Sequence, residues 1–142
     1  MNDFEEIQTI KHFEVIKPRY CETDQMGVIY YARYLDWFEV GRTELFKSIG
    51  LPYRKLEKKG IFLPVLESNS RYISPAHYDV EIILETTIEK FRHGLIQFNY
   101  RITRDDKIIA KGYTKHVFMK DGKKITLNLE DLKNLLETKD ES

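Results

Sequence analysis

The chain lacks several features that would assign a protein class at once. It has one cysteine, Cys21, which excludes an internal disulfide framework and a cysteine-cluster metal site. No apolar run exceeds six residues, far fewer than the roughly 18 of a membrane span. Neither sign of charge is in excess, with 23 basic and 23 acidic side chains, so net charge does not favour nucleic acid or anionic membrane as a partner. The acidic N-terminal residues do not resemble a secretory signal, and we predict a cytoplasmic protein.

Apolar residues, by contrast, are plentiful enough for one core. They make up 42% of the 142 residues, and they include nine tyrosines, eight phenylalanines and one tryptophan. A neutral chain of this composition collapses rather than staying disordered. No repeat and no Gly/Ser/Pro linker divides it, so residues 1–142 are predicted to form a single domain, with the first ten residues as a loose arm.

One long helix is predicted over residues 31–49, where apolar side chains recur at helical spacing. Gly41 lies on the apolar side and costs about 1 kcal/mol relative to alanine. We therefore expect another backbone to approach it closely. Gly50 supplies the left-handed residue that ends a helix, and a shorter helix is predicted over residues 52–59.

Most of the remaining chain has strand patterns, in which apolar and polar residues alternate. The predicted strands cover residues 12–22, 61–74, 80–89, 96–103 and 107–119. Pro18 and Pro64 mark an edge position and an irregularity, and turns are expected at residues 92–94, 105–106 and 121–122. An amphipathic helix over residues 129–137 closes the chain. This order predicts an α+β fold, with the long helix packed on one face of an antiparallel sheet.

The common catalytic motifs are missing from the sequence. It has no P-loop, no dinucleotide-binding glycine motif, no nucleophile elbow and no zinc-protease motif. None of the four histidines lies within four residues of another, so a zinc site has no local support. His77, His93 and His116 are given no catalytic role. Cys21 is interpreted as a buried structural thiol.

The segment ETDQMGVIYYARYLDWFE, residues 22–39, carries the strongest indication of chemistry. Asp24 lies in a loop that leads to the N-terminus of the long helix, where free N–H groups and the helix dipole converge. A carbonyl oxygen bound there would be polarised, and a nearby carboxylate could attack its carbon or activate water. Alternatively, Asp24 forms an Asx turn that shapes the loop. Glu22 competes for the catalytic role, but strand alternation predicts that it faces solvent.

This region resembles the hotdog-fold thioesterases, in particular the 4-hydroxybenzoyl-CoA thioesterase and YbgC-like acyl-CoA thioesterase branch. The similarity extends over residues 12–120 in the family's order of elements. The matching residues are Arg19-Tyr20, Thr23-Asp24, Gly27-Val28-Ile29-Tyr30, Tyr34-Leu35, Phe38-Glu39, Arg42, Arg71-Tyr72, Ser74-Pro75-Ala76 and Tyr78-Asp79.

The resemblance implies a fold in which an antiparallel sheet wraps around the long helix. It also implies that the protein hydrolyses an acyl-CoA thioester. Asp24 matches the family's catalytic aspartate, as nucleophile or general base. The N–H of Tyr31 matches the group that polarises the thioester carbonyl. Many YbgC-like members have histidine at this position, whereas tyrosine is similar to the hydroxybenzoyl enzyme. No metal and no cofactor are implied, since CoA is part of the substrate.

Further expectations concern substrate contacts and assembly. Gly27 and Tyr30 are expected beside the substrate, and Tyr34 could also line an acyl pocket. Trp37 and Phe38 are interpreted as core. Arg92-His93 matches a turn that binds CoA phosphates, although a solvated hairpin end explains it equally well. Subunits would pair edge to edge into a homodimer and dimers into a homotetramer, with the active site at the subunit interface.

Two other functions were compared with hydrolysis. Hotdog hydratases need a histidine near the helix start, and none lies between His12 and His77, which disfavours them. A binding module for acyl-CoA or acyl-carrier protein without catalysis is the alternative.

Overall fold

The computed structural model describes residues 10–137, so the predicted N-terminal arm lies almost entirely outside the described residues. The described part contains seven strands and three α-helices. In chain order they are β1 (Lys11–Ile16), α1 (Arg33–Ser48), α2 (Tyr53–Lys58), β2 (Ile61–Phe62), β3 (Val65–Tyr72), β4 (Ile82–Arg92), β5 (Leu95–Arg104), β6 (Lys107–Lys120), β7 (Lys123–Ile125) and α3 (Leu129–Glu137).

The strands form one antiparallel sheet in the order β1-β4-β5-β6-β2, with β3 and β7 also paired to β6. The helix α1 packs on its inner face. Phe38 stacks on Tyr100 of β5 at a ring distance of 4.2 Å, and Phe46 meets Phe98 of the same strand edge to face at 5.5 Å. The architecture is the hotdog fold that the motif predicted.

Gly41 lies close to the sheet, but side chains of β4 approach it and not the backbone that the sequence predicted. A methyl group built on its Cα would collide with Thr86 Oγ1 and lie 2.9 Å from Leu84 Cδ2, both on β4. Glycine is therefore needed here for space. Its cost in helix propensity is offset by the contact between α1 and the sheet.

Several boundaries agree with the sequence patterns. The helix α3 has the predicted bounds, α2 begins directly after Pro52, and Gly50 adopts the left-handed conformation that ends α1, with φ +81°. The three long strands β4, β5 and β6 lie where alternation predicted them, extended or shifted by one to three residues. Long periodic segments are the part of this fold that local pattern describes best.

The first strand is the main difference from prediction. It ends at Ile16 instead of continuing to Glu22, and residues Tyr20–Glu22 form a 3-10 turn. Alternation of faces stops where the strand stops, so both predictions that depended on it are wrong: Cys21 is exposed and Glu22 is buried. The predicted strand over residues 61–74 is likewise divided in two, because Leu63 and Pro64 separate β2 from β3.

A line of polar side chains crosses the apolar core. The Nδ1 of His116 bonds the carbonyl of Leu63 at 3.0 Å, and its Nε2 lies 2.8 Å from Thr114 Oγ1, which in turn lies 2.6 Å from the Tyr100 hydroxyl. A carbonyl only accepts, so Nδ1 carries the proton and Nε2 accepts from Thr114, leaving Tyr100 to donate to Thr114. Burial lowers the pKa of His116 to about 4, which keeps the ring neutral.

Within residues 10–137 none of the helices has the length and apolar character needed to cross a membrane. A cytoplasmic location stays a prediction of the sequence.

Candidate active site

The segment between the 3-10 turn and α1 is a tight hairpin-like loop. The N–H of Tyr30 donates to the carbonyl of Glu22 at 2.8 Å, and the N–H of Asp24 donates to the carbonyl of Val28 at 2.8 Å. Gly27 turns the chain with φ +80°, and no atom lies within 4 Å of where its Cβ would be. Glycine is therefore required here for its conformation and not for space.

The loop is also held against the chain that follows β3. The N–H of Ile29 donates to the carbonyl of Ala76 at 3.0 Å, and Val28 pairs with His77 in an isolated antiparallel bridge. Two segments about fifty residues apart are joined in this way. Local sequence pattern contains no information about such a contact.

The Asp24 carboxylate has two different oxygens. Its Oδ1 accepts the N–H groups of Met26 at 2.8 Å and Val28 at 3.3 Å, which is the Asx-turn geometry of the structural interpretation. Its Oδ2 has no hydrogen-bond or ion-pair partner among the described residues. Asp24 is half-buried. One side chain thus shapes the loop with one oxygen and keeps the other free for chemistry.

The start of α1 offers backbone donors. Among residues 10–137 the N–H groups of Tyr31 and Ala32 bond no protein acceptor, whereas that of Arg33 donates to the Tyr30 carbonyl at 2.9 Å. The Glu22–Tyr30 hydrogen bond joins the two arms of the loop, one of which contains Asp24 and the other Tyr31. Asp24 lies two residues from that bond on one arm of the loop, and Tyr31 lies one residue from it on the other.

Tyr72, at the end of β3, completes the wall around the helix start. Its hydroxyl donates to the Tyr31 carbonyl at 3.1 Å, and its ring meets those of Tyr31 and Tyr34 edge to face at 6.3 Å and 5.0 Å. Tyr72 belongs to the Arg71-Tyr72 motif, which predicted no role for it. Its position directly before the Ser74-Pro75-Ala76 turn was the available signal.

The other predicted aromatics divide between surface and core. Tyr30 and Tyr31 are exposed and lie 4.6 Å apart between ring centroids, so both can contact a ligand at the loop. Tyr34, Trp37 and Phe38 are buried. The core interpretation of Trp37 and Phe38 is confirmed.

Glu22 does not face solvent as predicted. Only 5% of the residue is exposed, and its Oε2 accepts the indole N–H of Trp37 at 2.9 Å. Its Oε1 accepts the backbone N–H of Arg19 at 2.8 Å. Both oxygens are occupied by protein donors, so Glu22 is unsuited to direct catalysis.

Arg92 and His93 are not brought near this loop within one chain. They form the exposed turn between β4 and β5, next to the Leu95–Val117 pair. Asp24 lies at the other end of the sheet, where β4 begins after the segment that contacts the loop. Ten residues of β4 separate the two ends, about 30 Å along the strand.

An apolar pocket of about 310 Å³ lies beside α2 and is lined mainly by Leu56, Phe62, Leu63, Pro64 and Met119. The helix α2 follows the C-terminus of α1, so this pocket is at the end of the molecule away from Asp24. Among the described residues, no three His, Cys, Asp or Glu side chains group in a way that could hold a metal ion.

The loop and helix start together provide two complementary groups. The unpaired N–H groups at the positive end of α1 can bind an oxygen that gains negative charge. The free oxygen of Asp24 can attack a carbonyl carbon or remove a proton from water. These are the groups that an acyl-transfer reaction needs.

Comparison with known proteins gives the same assignment. The family model described as "Thioesterase-like superfamily" matches residues 18–136. YneP of Bacillus subtilis (strain 168) is 45% identical over 87 residues, which are 61% of this chain and 63% of that protein. The acyl-CoA thioesterase YbgC of Haemophilus influenzae is 29% identical over 101 residues, 70% of this chain and 74% of that protein.

A solved structure extends the match to the fold. The crystal structure of a DHNA-CoA thioesterase from Staphylococcus aureus is 31% identical and superposes with a TM-score of 0.78, covering 86% of this chain and 83% of that chain. The sequence motif, the observed fold and the family match over residues 18–136 agree, and the chain belongs to the thioesterase-like superfamily of hotdog-fold proteins.

Proposed function

We propose that this protein hydrolyses acyl-CoA thioesters to a free acid and CoA. The observation that carries the proposal is the unpaired Asp24 Oδ2 on the same short loop as the unpaired N–H groups of Tyr31 and Ala32. The relatives named above as thioesterases for acyl-CoA and DHNA-CoA support the substrate class.

In the proposed reaction the thioester carbonyl oxygen accepts the N–H of Tyr31. The positive end of α1 then stabilises the oxyanion that forms. Asp24 either attacks the carbonyl carbon directly or takes a proton from the attacking water. In both routes the carbon–sulfur bond breaks, the acyl group gains the oxygen of water, and the departing CoA thiolate takes up a proton.

The acyl group would lie against aromatic rings near the loop. Tyr30 and Tyr31 are exposed, and Tyr72 stands beside the helix start. Gly27 leaves open space at the turn. Flat rings with hydroxyl groups suit either an aromatic or an aliphatic acyl group, so the substrate panel below includes both.

Arg92 and His93 would bind the phosphates of a CoA molecule whose thioester lies in the active site of a neighbouring subunit. The guanidinium group of arginine suits phosphate, and both residues are exposed at a turn. Their separation from Asp24 along β4, about 30 Å, supports a contact with the site of a neighbouring subunit instead of their own.

The assembly is proposed to be a homodimer formed through β3, with dimers pairing into a homotetramer. Among the described residues β3 pairs only with β6, so its other edge is free. Val65, Leu66 and Tyr72 on this eight-residue strand are exposed apolar residues. A long free edge with exposed apolar side chains favours pairing with a second strand.

The test is release of free thiol from a panel of CoA esters by the wild type and by Asp24→Asn. The panel spans short aliphatic, long aliphatic and hydroxyaromatic acyl groups. Asparagine keeps the Oδ1 that accepts from Met26 and Val28, so the loop should keep its shape. We expect turnover to fall by about 10²- to 10⁴-fold with an unchanged melting temperature.

Asp36→Asn is the matched control, since Asp36 is exposed in the first turn of α1 and, among residues 10–137, forms an ion pair with Arg33 alone, at 3.1 Å. It should keep wild-type turnover. Full activity in Asp24→Asn would disprove the role of Asp24. Retention of an acyl-CoA or acyl-carrier ligand by the purified wild type, with no release from any ester, would establish the binding module instead.

A further inference from the structure

Glu22 connects the three segments that form the site, two of them through its buried side chain and the third through its backbone carbonyl. We propose that Glu22 is a positioning residue, which holds the Asp24 loop in register with the start of α1 through its hydrogen bond to Trp37. The inference rests on the proposed function, because it assigns Glu22 to the same reaction.

The first connection is to the helix. Glu22 Oε2 accepts the indole N–H of Trp37 at 2.9 Å, with both side chains buried. Trp37 belongs to α1 and packs against Tyr34 of the preceding turn at a ring distance of 4.9 Å. The helix that begins two residues after Tyr31 therefore also supplies the donor that holds the loop.

The second and third connections are to the chain on either side of the loop. Glu22 Oε1 accepts the backbone N–H of Arg19 at 2.8 Å, before the loop. The Glu22 carbonyl accepts the N–H of Tyr30 at 2.8 Å, after it. Asp24 follows two residues later, so the position of its carboxylate depends on these three hydrogen bonds of Glu22.

The hydrogen-bond donors around residue 22 require a carboxylate side chain at that position. Three N–H groups point at the two oxygens of Glu22: the Trp37 indole at Oε2, and the Arg19 backbone N–H and, at 3.5 Å, its guanidinium Nε at Oε1. A carboxylate is the side chain that accepts at both oxygens. Glutamine of the same shape has one oxygen, and its NH₂ group would face a donor. One buried N–H would then lose its partner, and the loop would shift relative to the helix.

The experiment uses the variants Glu22→Gln and Trp37→Phe, singly and combined, on the ester that the wild type hydrolyses best. Trp37→Phe removes the same hydrogen bond from the helix side, so it still tests the positioning role if Glu22→Gln does not fold. Each single variant should lower kcat about 10- to 100-fold, because small displacements of reacting groups are costly, and leave KM within about twofold. The double variant should be no slower than the slower single variant, because one bond is lost in all three.

Ile96→Val is the control for stability alone, since Ile96 is fully buried in β5 at the end of the sheet away from Asp24. It should lower the melting temperature and leave kcat unchanged. Wild-type kcat in Glu22→Gln or in Trp37→Phe would overturn the proposal. So would kcat losses that multiply in the double variant, since Glu22 would then act independently of Trp37.

A second readout does not depend on activity. Trp37 is the only tryptophan, so its indole N–H gives a single resonance. In Glu22→Gln that resonance should shift, and the amides of Asp24 and Val28 should exchange faster with solvent, whereas Ile96→Val should leave all three unchanged. Unchanged exchange would overturn the positioning role even if no ester is hydrolysed. An active wild type with an inactive Asp24→Asn and an unaffected Glu22→Gln would leave the proposed function standing and remove only this inference.

Discussion

The loop before α1 and the polar line inside the core treat hydrogen-bonding groups in opposite ways. In the core, Tyr100, Thr114 and His116 bond one another and the Leu63 carbonyl. In the loop, Asp24 Oδ2 and the Tyr31 N–H have no protein partner among the described residues. Polar groups that are all paired stabilise a fold, and polar groups left unpaired at an accessible place can bind a substrate.

Among the substitutions that test this contrast, removal of the Thr114 hydroxyl should have the largest effect on stability. This hydroxyl is the central group of the core line, which consists of Tyr100, Thr114 and His116. Thr114→Val keeps the shape of the side chain but removes the donor to His116 Nε2 and the acceptor of the Tyr100 hydroxyl. We expect a loss of about 2–5 kcal/mol in the free energy of unfolding, measured by denaturant titration, with kcat unchanged.

Thr87→Val, on the half-buried opposite face of β4, is the control and should stay within about 0.5 kcal/mol of wild type. Equal stability of the two valine variants would show that the core line contributes nothing to the fold.

The second largest effect is expected from acid, which should lower the stability that His116 contributes to the core line. The unfolded His116 ring binds a proton below its ordinary pKa of 6.5, whereas the folded ring does so only near 4. Its contribution to stability is therefore complete above pH 6.5 and is lost as the pH falls toward 4, by up to about 3 kcal/mol. Unfolding free energies measured across this range should fall less steeply in His116→Gln than in the wild type.

His93→Gln alters an exposed turn and should retain the wild-type pH dependence. A wild type whose stability is flat between pH 6.5 and 4 would contradict the neutral, buried state of His116.

The smallest effect should come from the edge of the site. Tyr72→Phe removes the hydroxyl that donates to the Tyr31 carbonyl, which still accepts the N–H of Tyr34 at 3.3 Å. We expect a loss of about 1 kcal/mol in stability and a fall of about threefold in kcat, measured side by side. An unchanged kcat would limit Tyr72 to a structural role.

Sequence pattern predicted the parts of the fold that depend on near neighbours. Periodicity located α1 and the long strands, and Gly50 was interpreted correctly because a helix end requires a left-handed residue. Close packing at Gly41 was also predicted, although side chains of β4 and not a backbone make the contact. Glu22 and Cys21 were predicted wrongly for one reason. Alternation was extended past Ile16, where the chain leaves the strand, and Pro18 was interpreted as an edge position when it marked the end of the strand.

The candidate site was predictable only in part. The motif located Asp24 and Tyr31 on one short segment, and the structure brings them to the two arms of one loop. The contact between Tyr72 and Tyr31 joins residues 41 positions apart, and the Glu22–Trp37 bond depends on how the loop folds over the helix. Such contacts arise from tertiary packing, which spacing along the chain does not encode.

The glycine in the middle of α1 has a consequence for how this chain can change over time. Gly41 allows the helix to lie close to β4, and the same helix begins two residues after Tyr31. Alanine at this position would require either the Thr86 and Leu84 side chains or the helix itself to move. The more the helix takes up that movement, the more its start shifts relative to Asp24. The geometry of the site therefore depends on a residue about ten positions along the chain from Tyr31, which contacts no substrate itself.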